Sequence, residues 1–492
     1  MMQQTSWADL YAWRPPQAGE PVIRQVYDQV REAIHAGALL PGGRLPSSRG
    51  LAEHLGVARA SVVAAYDLLQ AEGYIEGRRG SGAFVAGDLS GVLEVRRPAA
   101  EPEPAATPEP PPRVRELAEL TLPAGAREPQ LFTNGRTLMD ARAQDAWSRA
   151  TRKALRCLDP IHFGYTEPAG MAELRAVIAD YLRAARGVVC EPDQVVLTAG
   201  AQHAADLAAR ILLEPGAPVW VEDPCYEPTW RALTAVGARL HPIPVDRAGL
   251  DVAAGVAIAP DARMAFITPS TQYPLGVTLS MARRLELIAW ARAAGAWIVE
   301  DDYASEFRYS GPPLASLQGL DGGERVIYVG TFNKSLFPGL RLGYLVAPKP
   351  LAAAFATARG LVDRQPPTIS QAIVLEFMQS GDFAAHVRRR RLAYRDQRDA
   401  LVAALEGELA DLLEVDVPDQ GMHLMAFLQD GRSDVAVQAA AAQRGLVVRP
   451  ISRLYHDAPP RSGLMLGFTG FPAQAMLPGV GRLARVLRET TC

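Results

Sequence analysis

Apolar positions recur at helical spacing near the start of the chain. Val22, Val26, Val30 and Ile34 fall every four residues and predict a helix with one apolar face, ended by Gly37. Ser47 or Ser48 is placed to cap a short second helix bearing Leu51, Ala52 and Leu55. After the Gly56-Val57 turn, Val62, Ala65, Tyr66 and Leu69 repeat at i, i+3, i+4 and i+7 and predict a third helix that stops at Gly73. Two short runs, Tyr74-Ile75-Glu76 and Ala83-Phe84-Val85, flank a glycine-rich stretch, Gly77 to Gly82, with Arg78 and Arg79 inside it. That predicts a β-hairpin with a cationic tip. Beyond residue 115 the pattern changes. Apolar strand runs (Val195–Thr198, Pro218–Glu222, Met264–Thr268, Trp297–Asp301, Val326–Gly330, Gly343–Val346) alternate with alanine-rich helical runs such as 202–213 and 281–294. Such alternation predicts an α/β sheet, mostly parallel and covered on both faces, with a smaller α+β unit from about residue 385.

Between the two patterns, residues 97–113 read RPAAEPEPAATPEPPPR, with almost nothing to bury. This is expected to be a semi-extended spacer. The organisation read from the chain is an extension over 1–19, a small helical domain over 20–88, a linker over 89–116 and a large domain over 117–492. At 492 residues the chain is too long for one ordinary domain. Its net charge of −3 makes it no polycation, so any nucleic-acid contact is local. The four cysteines, Cys157, Cys190, Cys225 and Cys492, form no C-x-x-C pair. A disulfide scaffold and a cysteine zinc cluster are thereby excluded, no metal is expected, and a reducing cytoplasm fits. The N-terminus does not read as a signal peptide, and no apolar run is long enough for a membrane span.

One count sharpens the chemistry. The chain has three lysines, Lys153, Lys334 and Lys349. Lys349 lies in a Pro-Lys-Pro turn and Lys153 on an arginine-rich helical stretch. Lys334 follows the strand run Val326–Thr331 among small and apolar residues. Desolvation there lowers the pKa of an amine and makes it nucleophilic, which suits a Schiff base to an aldehyde cofactor. Pyridoxal phosphate needs further groups. Its phosphate wants a helix N-terminus and a guanidinium, which Gly200-Ala201-Gln202, Thr331 and Arg341 offer. Its pyridine nitrogen wants a carboxylate, which Asp301 offers at a strand end. Tyr303 is placed for the ring hydroxyl and Tyr226 for stacking on the ring.

The small domain has the order of a winged helix-turn-helix. Its recognition helix opens with Arg59 and Ser61. Arg49 is placed for a phosphate, and Arg78 and Arg79 with Gly80 for a minor groove. Arg44, Arg49, Arg59, Arg78 and Arg79 map to one expected surface, to which Ser47 belongs. The segments Leu45-Pro46-Ser47-Ser48-Arg49, Gly56-Val57-Ala58-Arg59-Ala60-Ser61-Val62 and Glu72-Gly73-Tyr74-Ile75 resemble the GntR family of bacterial repressors. The resemblance implies DNA contacts by Arg49, Arg59, Ser61, Arg79 and Gly80; Ala60 stands where a hydroxyl is common.

The large domain resembles fold type I, class I aminotransferases over nearly all of 120–490. Tyr165, with Gly170, Leu174 and Arg175 following, matches the segment that supplies a tyrosine to the partner subunit's phosphate site. In Thr268–Gly276, Tyr273 replaces the family's asparagine beside the ring hydroxyl. The family's carboxylate-binding arginine is expected near Leu464-Met465-Leu466-Gly467, where none stands; Arg449, Arg453 and Arg461 are the alternatives. Head, proline-rich linker and body together resemble the MocR/PdxR family of regulators, on the stretch Glu300-Asp301-Asp302-Tyr303 to Tyr309 and on Thr331 to Tyr344. Thr271 and Asn333 depart from that family's usual His and Ser.

The resemblance implies a bacterial, cytoplasmic transcription regulator that binds operator double-stranded DNA, forms a head-to-tail homodimer and uses pyridoxal phosphate, alone or joined to a small amino effector, as its sensor. It points to genes of cofactor synthesis or amino-compound metabolism. The rival readings are a working aminotransferase with an accessory DNA-binding head, a DNA-binding module on a cofactor-free dimerisation platform, and a repressor with no covalent chemistry. The departures at Tyr273 and Met465 favour limited over full transamination.

Overall fold

The computed structural model describes residues 12–17, 19–78, 81–89, 109 and 130–489. The chain divides into two units, 1–115 and 116–492. Most of the extension read over 1–19 and nearly all of the linker read over 89–116 lie outside the described residues.

In the first unit, helices α1 (Val22–His35), α2 (Ser48–Leu55) and α3 (Arg59–Ala71) precede an antiparallel hairpin of β1 (Ile75–Arg78) and β2 (Gly82–Val85). Val26, Val30 and Ile34 of α1 bury against Leu51, Leu55, Val62 and Leu69. Val22 opens α1 and is exposed, so the apolar face is one residue shorter than its spacing predicts. Ser47 is the cap of α2, its side chain accepting from the Gly50 amide at 3.0 Å. Gly56 ends α2 at φ +67°, a backbone state open to glycine at little cost. The Tyr66 hydroxyl donates to the Pro46 carbonyl at 2.9 Å and so fixes α3 against the start of α2.

The second unit is built on an eight-stranded sheet: β3 (Val195–Thr198), β4 (Pro218–Asp223), β5 (Arg239–Asp246), β6 (Gly249–Leu250), β7 (Met264–Ile267), β8 (Trp297–Asp301), β9 (Val326–Thr331) and β10 (Gly343–Val346), in the order β3-β10-β9-β8-β7-β4-β5-β6. Strands β9, β8, β7, β4 and β5 run parallel; β10 is antiparallel to both its neighbours and β6 to β5. β3, β4, β7, β9 and β10 are buried along their whole length, which is why they read as unbroken apolar runs. The consequence for function is directional. β3, β4, β7, β8 and β9 all end at the same edge, and the loops that follow them converge there.

A second, antiparallel sheet of β11 (Leu413–Asp416), β12 (His423–Leu428), β13 (Arg449–Pro450) and β14 (Gly463–Gly467) forms the smaller subdomain, in the order β11-β12-β14-β13. The long helix Asp382–Leu409 joins the two layers. Phe383 and Val387 lie in the core of the large subdomain, whereas Tyr394, Leu401 and Leu405 lie in that of the small one. No helix among the described residues is long and apolar enough to cross a membrane.

Candidate functional site

At the converging strand ends lies a cavity of about 260 Å³. Its walls include Ala201, Gln202, Tyr226, Tyr273, Asp301, Tyr303, Thr331, Asn333, Lys334 and Arg341, so ten of the residues chosen from sequence meet in one place. Most arrive from strand exits, whereas Arg341 stands two residues before β10. Asp301 ends β8, Thr331 ends β9, and Lys334 sits in the single turn Phe332–Ser335 that follows. Tyr226 follows β4, and Ala201 opens a twelve-residue helix directly after β3.

The backbone around this cavity is tightly set. The Thr331 hydroxyl accepts from the Asn333 amide at 3.1 Å, and Asn333 Oδ1 accepts from the Leu342 amide at 3.3 Å. Gly200 does not line the cavity, yet a Cβ there would lie 2.7 Å from Asn333 Nδ2. Its φ of +116° removes any doubt that glycine is required. Arg341 holds φ +51°, an uncommon state for a side-chain-bearing residue that costs of order 1 kcal/mol and persists where surrounding structure over-determines it.

Electrostatics tie the amine to the carboxylate. Burial lowers the Lys334 pKa, partly opposed by Asp301. Burial, reinforced by the neighbouring Asp302, pushes Asp301 up to about 7, with Lys334 pulling the other way. Asp302 itself pairs with buried Arg186 at 2.8 Å and accepts from the Tyr328 hydroxyl at 2.5 Å. Burial raises Tyr273 to about 12, and the Arg449 guanidinium lowers it in opposition. Among the described residues, Asp301 Oδ1 and the Tyr303 hydroxyl are buried with no hydrogen-bond partner.

Sequence reasoning missed part of the wall. Asn134 and Gly135 line the cavity, and a Cβ on Gly135 would lie 2.5 Å from Lys334 Nζ. Asn134 Nδ2 lies 3.5 Å from the Tyr273 hydroxyl, in the neighbourhood where the resemblance expects an asparagine at 273. Met422 and His423 also line it; the His423 ring lies 5.6 Å from that of Tyr273, its Nε2 is 2.8 Å from the Pro274 carbonyl, and burial lowers its pKa to about 4. In sequence, Asn-Gly is only a turn signal, and nothing local joins it to a distant lysine.

Among the three alternative arginines, Arg449 lines the cavity, its Nη1 lying 3.2 Å from the Tyr273 hydroxyl oxygen. Arg453 and Arg461 do not line it. Arg453 is exposed on the turn Ser452–Leu454, and Arg461 is drawn off by Glu414 at 3.4 Å and by the Phe427 ring at 3.6 Å. Tyr165 stands apart as well. It is 77% exposed, with the Arg364 guanidinium 3.9 Å over its ring. Lys153 pairs with Glu376 at 2.5 Å, and Lys349 is exposed.

In the first unit, Arg44, Ser47, Arg49 and Arg59 are exposed and Ser61 is half-buried. Arg59 is the first residue of α3 and its Nε donates to Ser48 Oγ at 3.3 Å, which orients it across the two helix starts. Arg44 bridges to Phe84 on the hairpin. Arg78 does not extend freely from the tip: it pairs with Glu76 at 2.6 Å and lies 4.5 Å over the Phe84 ring. Arg79 and Gly80 lie outside the described residues.

Comparison with known proteins matches both units. Residues 139–463 match the model of aminotransferase class I and II, and residues 22–85 that of bacterial regulatory proteins, gntR family. The chain is 38% identical over 466 residues to the probable rhizopine catabolism regulatory protein MocR of Rhizobium meliloti, covering 95% of this chain and 94% of that protein. It is 34% identical to the pyridoxine biosynthesis transcriptional regulator PdxR of Corynebacterium glutamicum, over 94% of this chain and 95% of that one. Among solved structures, an archaeal alanine:glyoxylate aminotransferase aligns with a TM-score of 0.69 and 28% identity, over 74% of this chain and 92% of its own.

Proposed function

The chain belongs to the MocR-like family of gntR transcriptional regulators, a winged helix-turn-helix joined to an aminotransferase class I and II domain, and on that premise we propose that its body holds pyridoxal phosphate and so governs how its head binds operator DNA.

One observation carries the cofactor reading. Asp301 Oδ1 and the Tyr303 hydroxyl are buried without partners in the cavity that holds Lys334. Leaving such groups unpaired costs about 1–3 kcal/mol each, and a protonated pyridine nitrogen and a ring hydroxyl are the two partners they lack. When bound, the cofactor supplies an aldehyde carbon and an electron sink. The chain's own groups do the remainder. Lys334 offers an amine that burial keeps closer to neutral. Asp301 holds a proton at the ring nitrogen, Tyr303 bonds the ring oxygen, and Tyr226 covers the ring. The amides at the start of the Ala201–Leu212 helix, with Thr331, Asn333 and Arg341, take the phosphate.

Tyr165, exposed beside Arg364, is assigned to the phosphate site of a second copy, which makes the working unit a head-to-tail homodimer. Arg449 is assigned to the carboxylate of a small amino effector. Regulation is then linkage: cofactor or effector binds one arrangement of the body better than another, and the difference biases the heads. MocR is named a probable rhizopine catabolism regulatory protein and PdxR a pyridoxine biosynthesis transcriptional regulator, so genes of amino-compound metabolism or cofactor synthesis are the expected targets. Operator affinity measured for the cofactor-free, cofactor-loaded and effector-treated protein tests this. Affinities should differ between forms; identical values in all three overturn the sensor reading.

A further inference from the structure

A second cleft, of about 410 Å³, lies where the large and small subdomains meet. Three parts of the chain wall it. Tyr181, Arg183 and Arg186 come from the helix Ala172–Arg186, Glu306 and Arg308 from the loop after β8, and Arg391 from the long joining helix. The position of Arg391 matters. It falls between Val387, in the large-subdomain core, and Tyr394, in the small one. Arg308 is also at the seam: Phe307 beside it is in the small-subdomain core, and its own backbone bridges to Gln420.

The charges are unevenly matched. Arg186 is paired with Asp302, and Arg183 with Asp180 at 2.5 Å. Arg308 and Arg391 have no carboxylate within ion-pair distance among the described residues, and Arg308 Nε is buried with no hydrogen-bond partner. Arg391 Nε donates to the Glu306 carbonyl at 2.9 Å, and Arg391 lines the cleft. The one carboxyl in the wall, Glu306, accepts from the Tyr181 hydroxyl at 3.4 Å and is held up to about 7 by burial and by Asp302. Guanidiniums in this number, planar and always charged, suit an oxyanion better than any other ligand.

We propose that this cleft is a binding site for a small dianionic oxyanion compound, a phosphate monoester or a short dicarboxylate, gripped between Arg308 and Arg391 with Arg183 at the rim. Its volume is that of a metabolite site rather than of a lone ion. A ligand held from both sides of the seam favours one setting of the two subdomains. Arg186 of the cleft wall pairs with Asp302, and Asp302 follows Asp301 of the first cavity directly. Occupancy of the cleft therefore changes the affinity of the first cavity for its own ligand, and by reciprocity the reverse.

The test is calorimetric titration of the full-length, cofactor-free chain with inorganic phosphate and with succinate, against chloride at matched ionic strength. Saturable binding of phosphate or succinate is expected, weakened about tenfold or more by Arg391→Gln and by Arg308→Gln. Arg391 is exposed, so its variant carries the test if Arg308→Gln does not fold. Binding that Arg391→Gln leaves unchanged, or chloride acting as well as the oxyanions, overturns the site. Pyridoxal phosphate affinity that is the same with and without saturating oxyanion overturns the coupling. Because the first measurement uses no cofactor, it stands or falls separately from the cofactor reading.

Discussion

Arg449 and Met465 face each other across the antiparallel β13–β14 pair, and it is Arg449 whose guanidinium enters the cavity beside Tyr273. Residues so paired have Cα atoms about 4.5–5.5 Å apart. A long arginine side chain on one strand thus serves much of the space that an arginine on the other strand is expected to serve. The sequence places no arginine over 464–467, and the cross-strand neighbour supplies one from the next strand.

Arg449→Gln should weaken binding of an amino-acid effector by about ten- to a hundredfold, the loss of a charge-assisted pair. The matching amine without a carboxylate should bind both forms equally. Absorbance titration of the cofactor-loaded protein reads both constants. Equal weakening for acid and amine would reassign Arg449 to holding Tyr273 in place.

Lys334→Ala should abolish borohydride-stable attachment of pyridoxal phosphate and the visible absorbance band that accompanies it. Lys153, paired with Glu376, and exposed Lys349 should remain unlabelled. Peptide mapping after reduction distinguishes the three, and label on either of the latter removes Lys334 from its role.

Four buried carboxyls should contribute less to the stability of the cofactor-free protein as pH rises from about 4 to about 7, while His386 and His423, lowered to about 4 by burial, contribute in the opposite direction. Asp301, Glu222, Glu300 and Glu306 are each pushed up to about 7, chiefly by burial. A carboxyl raised in the fold stabilises fully below its unfolded value near 4, and that contribution is lost as pH passes the folded value. Asp301→Asn removes one of these losses, so its Tm should fall less steeply over that window. Loading with pyridoxal phosphate should raise Tm above pH 7 more in the unaltered chain than in Asp301→Asn. Parallel Tm profiles for the two proteins would contradict this account of Asp301.

Arg59→Ala should weaken specific operator binding far more than binding to random DNA. A bidentate arginine–guanine contact gives about 1–3 kcal/mol of discrimination, whereas a phosphate contact gives none. Competition between operator and random duplexes at fixed salt measures the ratio. An unchanged ratio would make Arg59 a phosphate contact.

Much was legible in the chain itself, because the signals involved are local. The helices of the head follow from apolar spacing and from caps at Ser47 and Gly56. The buried strands follow from unbroken apolar runs, and a run that must be covered on both faces announces where its exit loop lies. Hence Asp301, Thr331 and Lys334 were placed by sequence at one sheet edge, where the fold brings them together.

What the tertiary structure alone decided is which distant segments share a space. Gly135 lies against Lys334 because the segment around Phe132 bridges to Gly467. Arg449, rather than Arg453 or Arg461, reaches the cavity because strand register turns its side chain that way, while Glu414 and Phe427 hold Arg461 elsewhere. Arg308 and Arg391 become neighbours through a helix that begins in one core and ends in another. Spacing along a chain encodes a helix or a strand through fixed periods of backbone geometry. Register and packing between remote elements depend on the joint burial of many side chains, and no short window of sequence contains that sum.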